Sequence, residues 1–171
     1  GAFPNASHGK AEAVSILAVR EIFADADWVT WGSLNNLLPT LAEAAPENFL
    51  DTVEAALQID PCPFDTLFAQ EGNGLMGASY LTGLLWALEG LAWEPDLLVR
   101  TSVLLAELAS HDPGGNWANR PANSLVTILL PWLPQTLGST EKRKVAVRTV
   151  LAEQPIVGWN LLLQLLPGQH Q

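Results

Sequence analysis

His111 and Asp112 stand side by side ahead of Pro113-Gly-Gly-Asn116-Trp117-Ala-Asn119-Arg120-Pro-Ala-Asn123, the one stretch that concentrates polar side chains, glycines and an aromatic. An imidazole beside a carboxylate has the residue types of a base and its orienting partner. Adjacent residues rarely face one another, however, and Ser110 beside them makes three consecutive residues rather than a spaced nucleophile–base pair. The chemistry the segment offers is therefore recognition. Trp117 supplies contact area, Arg120 a forked donor, and Asn116 and Asn119 adaptable hydrogen bonds; His111 and Asp112 complete the set. A purely structural use competes with this reading, in which Trp117 tucks into the core, Asp112 or Asn123 caps a helix and Arg120 pairs with a nearby acid.

Other chemistry is thinly represented. Cys62 is the single cysteine, and histidines occur only at 8, 111 and 170, which gives neither an internal disulfide nor a zinc-type sequence spacing. The acids show no calcium-loop arrangement, and no Gly-x4-Gly-Lys-Ser/Thr loop is present, so the sequence points to no metal and no cofactor. One cysteine fits a reducing cytoplasm.

Such a loop needs a rigid frame, and leucine and alanine recurring at three- and four-residue spacing, without alternating β-branched runs, predict an all-α chain. About nine helices are expected, over about 9–23, 33–44, 46–58, 64–70, 77–91, 95–110, from Asn123 or Pro121 to 130, 140–153 and 155–167. The turn containing Trp28 and Trp31 precedes the second. Pro46, Pro95 and Pro155 each open a helix, because proline lacks only a donor that the first turn leaves unpaired. Ser139 and Thr140 supply an N-cap.

At 171 residues the chain has the size of one domain. Hydrophobic residues make up 49 % and charged residues 15 %, which excludes a disordered or coiled-coil chain. The net charge of −10 opposes nucleic acid and anionic lipid. Residues 1–75 carry 2 basic and 11 acidic side chains, so the acidity belongs to the N-terminal half. The only basic cluster, Glu141-Lys-Arg-Lys144 with Arg148, is expected to meet that half. Leu75 to Trp93 carries one charge, Glu89, but is interrupted by glycines and lacks basic flanks, so it reads as a buried helix rather than a membrane span. Seven tryptophans are a high load, and most, Trp86 and Trp159 among them, are expected in the core. Trp28, Trp31, Trp93 and Trp132, near helix ends, are read first as core or semi-buried packing, with the edge of a groove as the alternative.

Three junctions repeat: Leu41-Ala-Glu-Ala-Ala-Pro46, Leu91-Ala-Trp-Glu-Pro95 and Leu151-Ala-Glu-Gln-Pro155. The pattern resembles a degenerate HEAT-like α-solenoid of stacked antiparallel hairpins. The closing run from Gly158, with Asp112 to Asn119, is similar to helical-repeat regions of large bacterial signalling proteins of the STAND type. The resemblance implies a non-catalytic interaction, scaffold or sensor module of a longer bacterial protein, with a protein partner or other domains of the parent chain, and no catalytic residue to carry over. Residues 1–8 are expected outside the folded unit. The apolar run Leu161-Leu-Leu-Gln-Leu-Leu166 is unlike the polar face of a terminal repeat, which predicts a homodimer through the C-terminal helix. A small-molecule-binding or enzymatic helical domain, with a pocket near His111 to Arg120, is the competing function.

Overall fold

The computed structural model describes residues 9–70, 80–115 and 118–167. Among these the chain forms ten α-helices and no strand: α1 Lys10–Phe23, α2 Trp28–Ser33, α3 Leu38–Ala44, α4 Pro46–Leu57, α5 Pro63–Gln70, α6 Thr82–Leu91, α7 Leu98–His111, α8 Pro121–Leu129, α9 Thr140–Glu153 and α10 Pro155–Leu165. None is long and apolar enough to cross a membrane.

The additional helix is α2, where a turn was expected. Asp27 starts it: extended at φ −85° and ψ 179°, it accepts from the Thr30 amide at 2.8 Å and the Thr30 hydroxyl at 2.9 Å. These bonds to Thr30 hold the Asp27 carboxyl below its ordinary value. Six residues are too few to show a helical period.

Pro46 and Pro155 open helices as expected, and their corners match. Ala45 (φ −149°, ψ 72°) and Gln154 (φ −128°, ψ 75°) each close one helix and precede the next. Each donates its amide four residues back, to Leu41 and Val150, and accepts from four residues on, Phe49 and Gly158. Pro95 differs. It lies in a turn in which the Leu97 amide donates to the Glu94 carbonyl, and α7 starts only at Leu98. For the apolar segment after Gly77, residues up to 79 lie outside the described ones, and the helix begins at Thr82.

One continuous core runs from Val19 in α1 to Leu161 in α10. At one end Phe23 stacks on Trp31 at 4.3 Å between ring centroids, while Phe49 and Phe64 meet Trp31 edge-on at 6.3 and 5.1 Å, tying α1, α2, α4 and α5 together. At the centre is α7, packed on α4, α5, α6, α8, α9 and α10. Its expected face of Leu97, Leu98, Leu104, Leu105 and Leu108 is buried. Gly83 lets α6 approach α3: its amide donates to Asn35 Oδ1 at 2.7 Å, and a Cβ there would overlap the Asn35 carbonyl oxygen.

The hydroxyl of Ser102 is buried in α7 with no hydrogen-bond partner among the described residues. Ser102→Ala removes that desolvated group at almost no loss of volume, and should raise the unfolding free energy by about 1 kcal/mol in urea denaturation. A loss of 1 kcal/mol would show that the hydroxyl is bonded.

The charge pattern differs from expectation in its pairing. The acidic half is met by Arg100 of α7, which reaches Glu47, Asp51 and Glu54 along α4 at 3.1, 2.6 and 2.6 Å. The basic cluster of α9 serves its own half: Lys142 pairs with Asp96, Lys144 with Glu141, and Arg143 donates to the Leu130 carbonyl. Arg100 is within reach of α4 because α7 packs on it, whereas α9 packs chiefly on α7 and α10.

Candidate functional site

The segment from His111 to Asn123 joins α7 to α8, and its described members are mostly engaged within the chain. His111 ends α7, and its Nδ1 donates to Asp65 Oδ1 in the first turn of α5 at 2.7 Å. Asp112 is the C-cap. Its Oδ1 accepts from the Gly114 amide and from Arg120 Nη1, both at 2.8 Å, so one carboxylate clamps the two ends of the loop. The side chains of this ion pair are each 10 % exposed. A Cβ at Gly115 would overlap Arg120 Nη2, so a side chain at position 115 would push the end of the guanidinium from this place.

Asn119 is exposed and donates to Thr82 Oγ1 at 3.4 Å, and Asn123 Nδ2 donates to the Ala118 carbonyl at 2.7 Å. Asn116 and Trp117 lie outside the described residues. The loop charges are thus turned inward: His111 to α5, and Arg120 and Asp112 to each other. Among the described residues, four well-formed grooves have walls that do not include His111, Asp112, Asn119 or Arg120. The largest, of about 610 Å³, lies elsewhere, between the end of α1, α2, α4 and α5, with Phe23, Trp28 and Trp31 among its walls and Asp25, Asp27 and Asp51 at its edges.

His111 has a neighbour that sequence spacing did not reveal. Cys62 immediately precedes α5, and one ligand atom from each of Cys62, Asp65 and His111 lies within 4.8 Å of the others. Cys62 is buried, and burial pushes its thiol up from the ordinary value. The amides of Phe64 and Asp65 oppose that shift, while the charges of Asp65 and Glu107 add to it. In sequence the pair Cys62-x-x-Asp65 and the pair Glu107-x3-His111 lie far apart, and only the packing of α5 on α7 unites them.

The tryptophans are the larger departure. Of the six described, Trp31 alone is buried, at 1 % exposure; Trp28, Trp86, Trp93, Trp132 and Trp159 range from 39 to 62 %. In α6 the buried set Leu84, Leu85, Leu88 and Leu91 defines one face, and Trp86 falls on the other. In α10 only Gly158 and Leu161 are buried. Ile156, Trp159, Leu163 and Leu166 stay 52 to 81 % exposed, spaced by three, four and three residues along one stripe. Apolar runs that continue round a helix conceal which side faces the core, so sequence placed Trp86 and Trp159 inside. None of the family models, curated proteins or solved structures compared with the chain matches it.

Proposed function

We propose that the chain is a non-catalytic protein–protein interaction or scaffold module, with the outer stripe of α10 as its docking surface and a second copy of the chain as the first occupant. The observation that carries this is the exposure of five tryptophans together with that stripe. Exposed apolar patches mark interaction sites, and tryptophan is enriched among the residues that dominate binding energy. The stripe has the a/d spacing of a helix that pairs with another helix, and a self-complementary stripe suits a two-fold dimer. The two matched corners support the resemblance to stacked hairpins, and the larger bacterial, cytoplasmic parent is carried by that resemblance and by the cysteine usage alone.

Magnitudes set the expected strength. Four side chains per copy, a little over half exposed, contribute about 7–14 kcal/mol when a pair buries them, against a roughly 4–15 kcal/mol association cost. The surplus is at most about 10 kcal/mol, so a micromolar dimer, which needs about 8 kcal/mol, requires an association cost at the low end of its range, and nanomolar affinity, at about 12 kcal/mol, is out of reach. A non-catalytic reading is supported by Cys62, whose burial and raised thiol are opposite to what a nucleophile needs.

Light scattering over a hundredfold dilution from about 100 μM should show dimer giving way to monomer. Ile156→Glu/Trp159→Glu should be monomeric throughout with an unchanged circular dichroism spectrum. A wild type that stays monomeric, or a double variant that still dimerises, would contradict the proposed surface.

A further inference from the structure

The geometry points to a divalent transition-metal site, suited to zinc, formed by Cys62, Asp65 and His111 where α5 meets α7. Three ligand types that zinc accepts, a thiolate sulfur, an imidazole nitrogen and a carboxylate oxygen, present atoms within 4.8 Å of one another. Bonds of about 2.0–2.3 Å at tetrahedral angles require ligand atoms about 3.3–3.6 Å apart. The 2.7 Å contact between His111 Nδ1 and Asp65 Oδ1 must therefore open by less than 1 Å, and the sulfur, within 4.8 Å of both, must draw in by at most about 1.5 Å. Asp65, with a half-exposed side chain, has the freedom to make that adjustment.

The elements hold the ligands in the way a metal needs. Cys62 immediately precedes α5, its carbonyl accepting from the Asp65 amide at 3.2 Å, and the Phe64 and Asp65 amides of that first turn favour the thiolate. His111 is fixed at the end of α7. Glu107, one turn earlier in α7, is held by Gln58 Nε2 at 2.9 Å and adds a second negative charge beside the cysteine. Two carboxylates around a buried thiol make a field that disfavours an isolated thiolate and is reversed by a divalent cation. On binding, the metal takes the place of the proton between Nδ1 and Oδ1 and the imidazole coordinates as its Nε2–H tautomer, the displaced proton moving to Nε2 of a neutral ring or to solvent from an imidazolium, while the Cys62 thiol releases one further proton to solvent. Three protein ligands leave a fourth position for water. Oxygen-only cations such as magnesium or calcium have no use for sulfur and nitrogen, so the donor set selects zinc, cobalt or nickel.

The probe is cobalt(II) chloride added to the reduced full chain, followed by competition with zinc. One equivalent should bind with thiolate-to-cobalt charge-transfer absorption in the near ultraviolet and tetrahedral d–d bands in the visible, and zinc should abolish both. Cys62→Ser should remove the charge-transfer band, and Asp65→Asn and His111→Gln should each weaken binding by about tenfold or more. His8→Gln/His170→Gln should leave the spectrum unchanged, and circular dichroism should show each variant folded. The proposal is overturned if cobalt gives no charge-transfer band, if Cys62→Ser keeps it, or if the two terminal histidines account for the binding. It is overturned equally if magnesium displaces cobalt at matched concentration.

Discussion

Trp31→Ala should lower the free energy of unfolding by about 3–5 kcal/mol, among the largest effects expected of a single truncation in the chain. Trp31 is 1 % exposed and is the ring that Phe23, Phe49 and Phe64 share, so its removal opens a cavity bounded by four helices at once. Rigid helices cannot all collapse into such a space, and the cost contains both lost transfer energy and the residual void. Against a typical total of 5–15 kcal/mol, this is a large fraction of the stability. Urea denaturation followed by far-ultraviolet circular dichroism measures it. Trp86→Ala is the control: with the side chain 58 % exposed, it should cost under 1 kcal/mol. Equal losses in the two variants would contradict the assignment of Trp31 to the core and Trp86 to the surface.

Arg120→Ala should cost about 3–5 kcal/mol, as expected when one member of a buried ion pair is removed and the other stays. Asp112 would keep the Gly114 amide but lose its charged partner in a setting where its side chain is 10 % exposed. Arg120→Lys should not rescue, because an ammonium cannot reproduce the forked guanidinium packed against Gly115. Asp112→Ala/Arg120→Ala should be less destabilised than the sum of the two single changes, since no uncompensated charge remains. If Arg120 served chiefly as a recognition residue, its removal would leave the denaturation midpoint within a few tenths of a molar of wild type. That outcome would contradict the clamp.

Much of the architecture is legible in the sequence because it rests on local rules. Proline at Pro46 and Pro155 marks helix starts, Ser139 caps α9 by accepting from the Lys142 amide, and the leucines of α7 reveal their buried face through spacing. What the sequence hid depends on contacts between distant elements. The helix α2 is one cap and six residues; the partner of Arg100 was decided by which helix α7 touches; and the orientation of Trp86 and Trp159 was masked by apolar residues on every side of α6 and α10.

The segment from His111 to Asn123 shows the same division. Its composition concentrates polar groups, but composition does not say that Asp112 and Arg120 pair with each other or that His111 turns to Asp65. Cys62 carried no signal in one dimension. Its neighbours Asp65, Glu107 and His111 converge only after α5 packs on α7.

Photo-crosslinking from the centre of the α10 stripe tests the interaction reading most directly. A benzophenone side chain at position 163, irradiated at a concentration where the chain is dimeric, should give a covalent dimer whose mapped link joins α10 of one copy to α10 of the other. A link confined to some other surface, or no dimeric product at all, would contradict the assignment of α10 as the docking face.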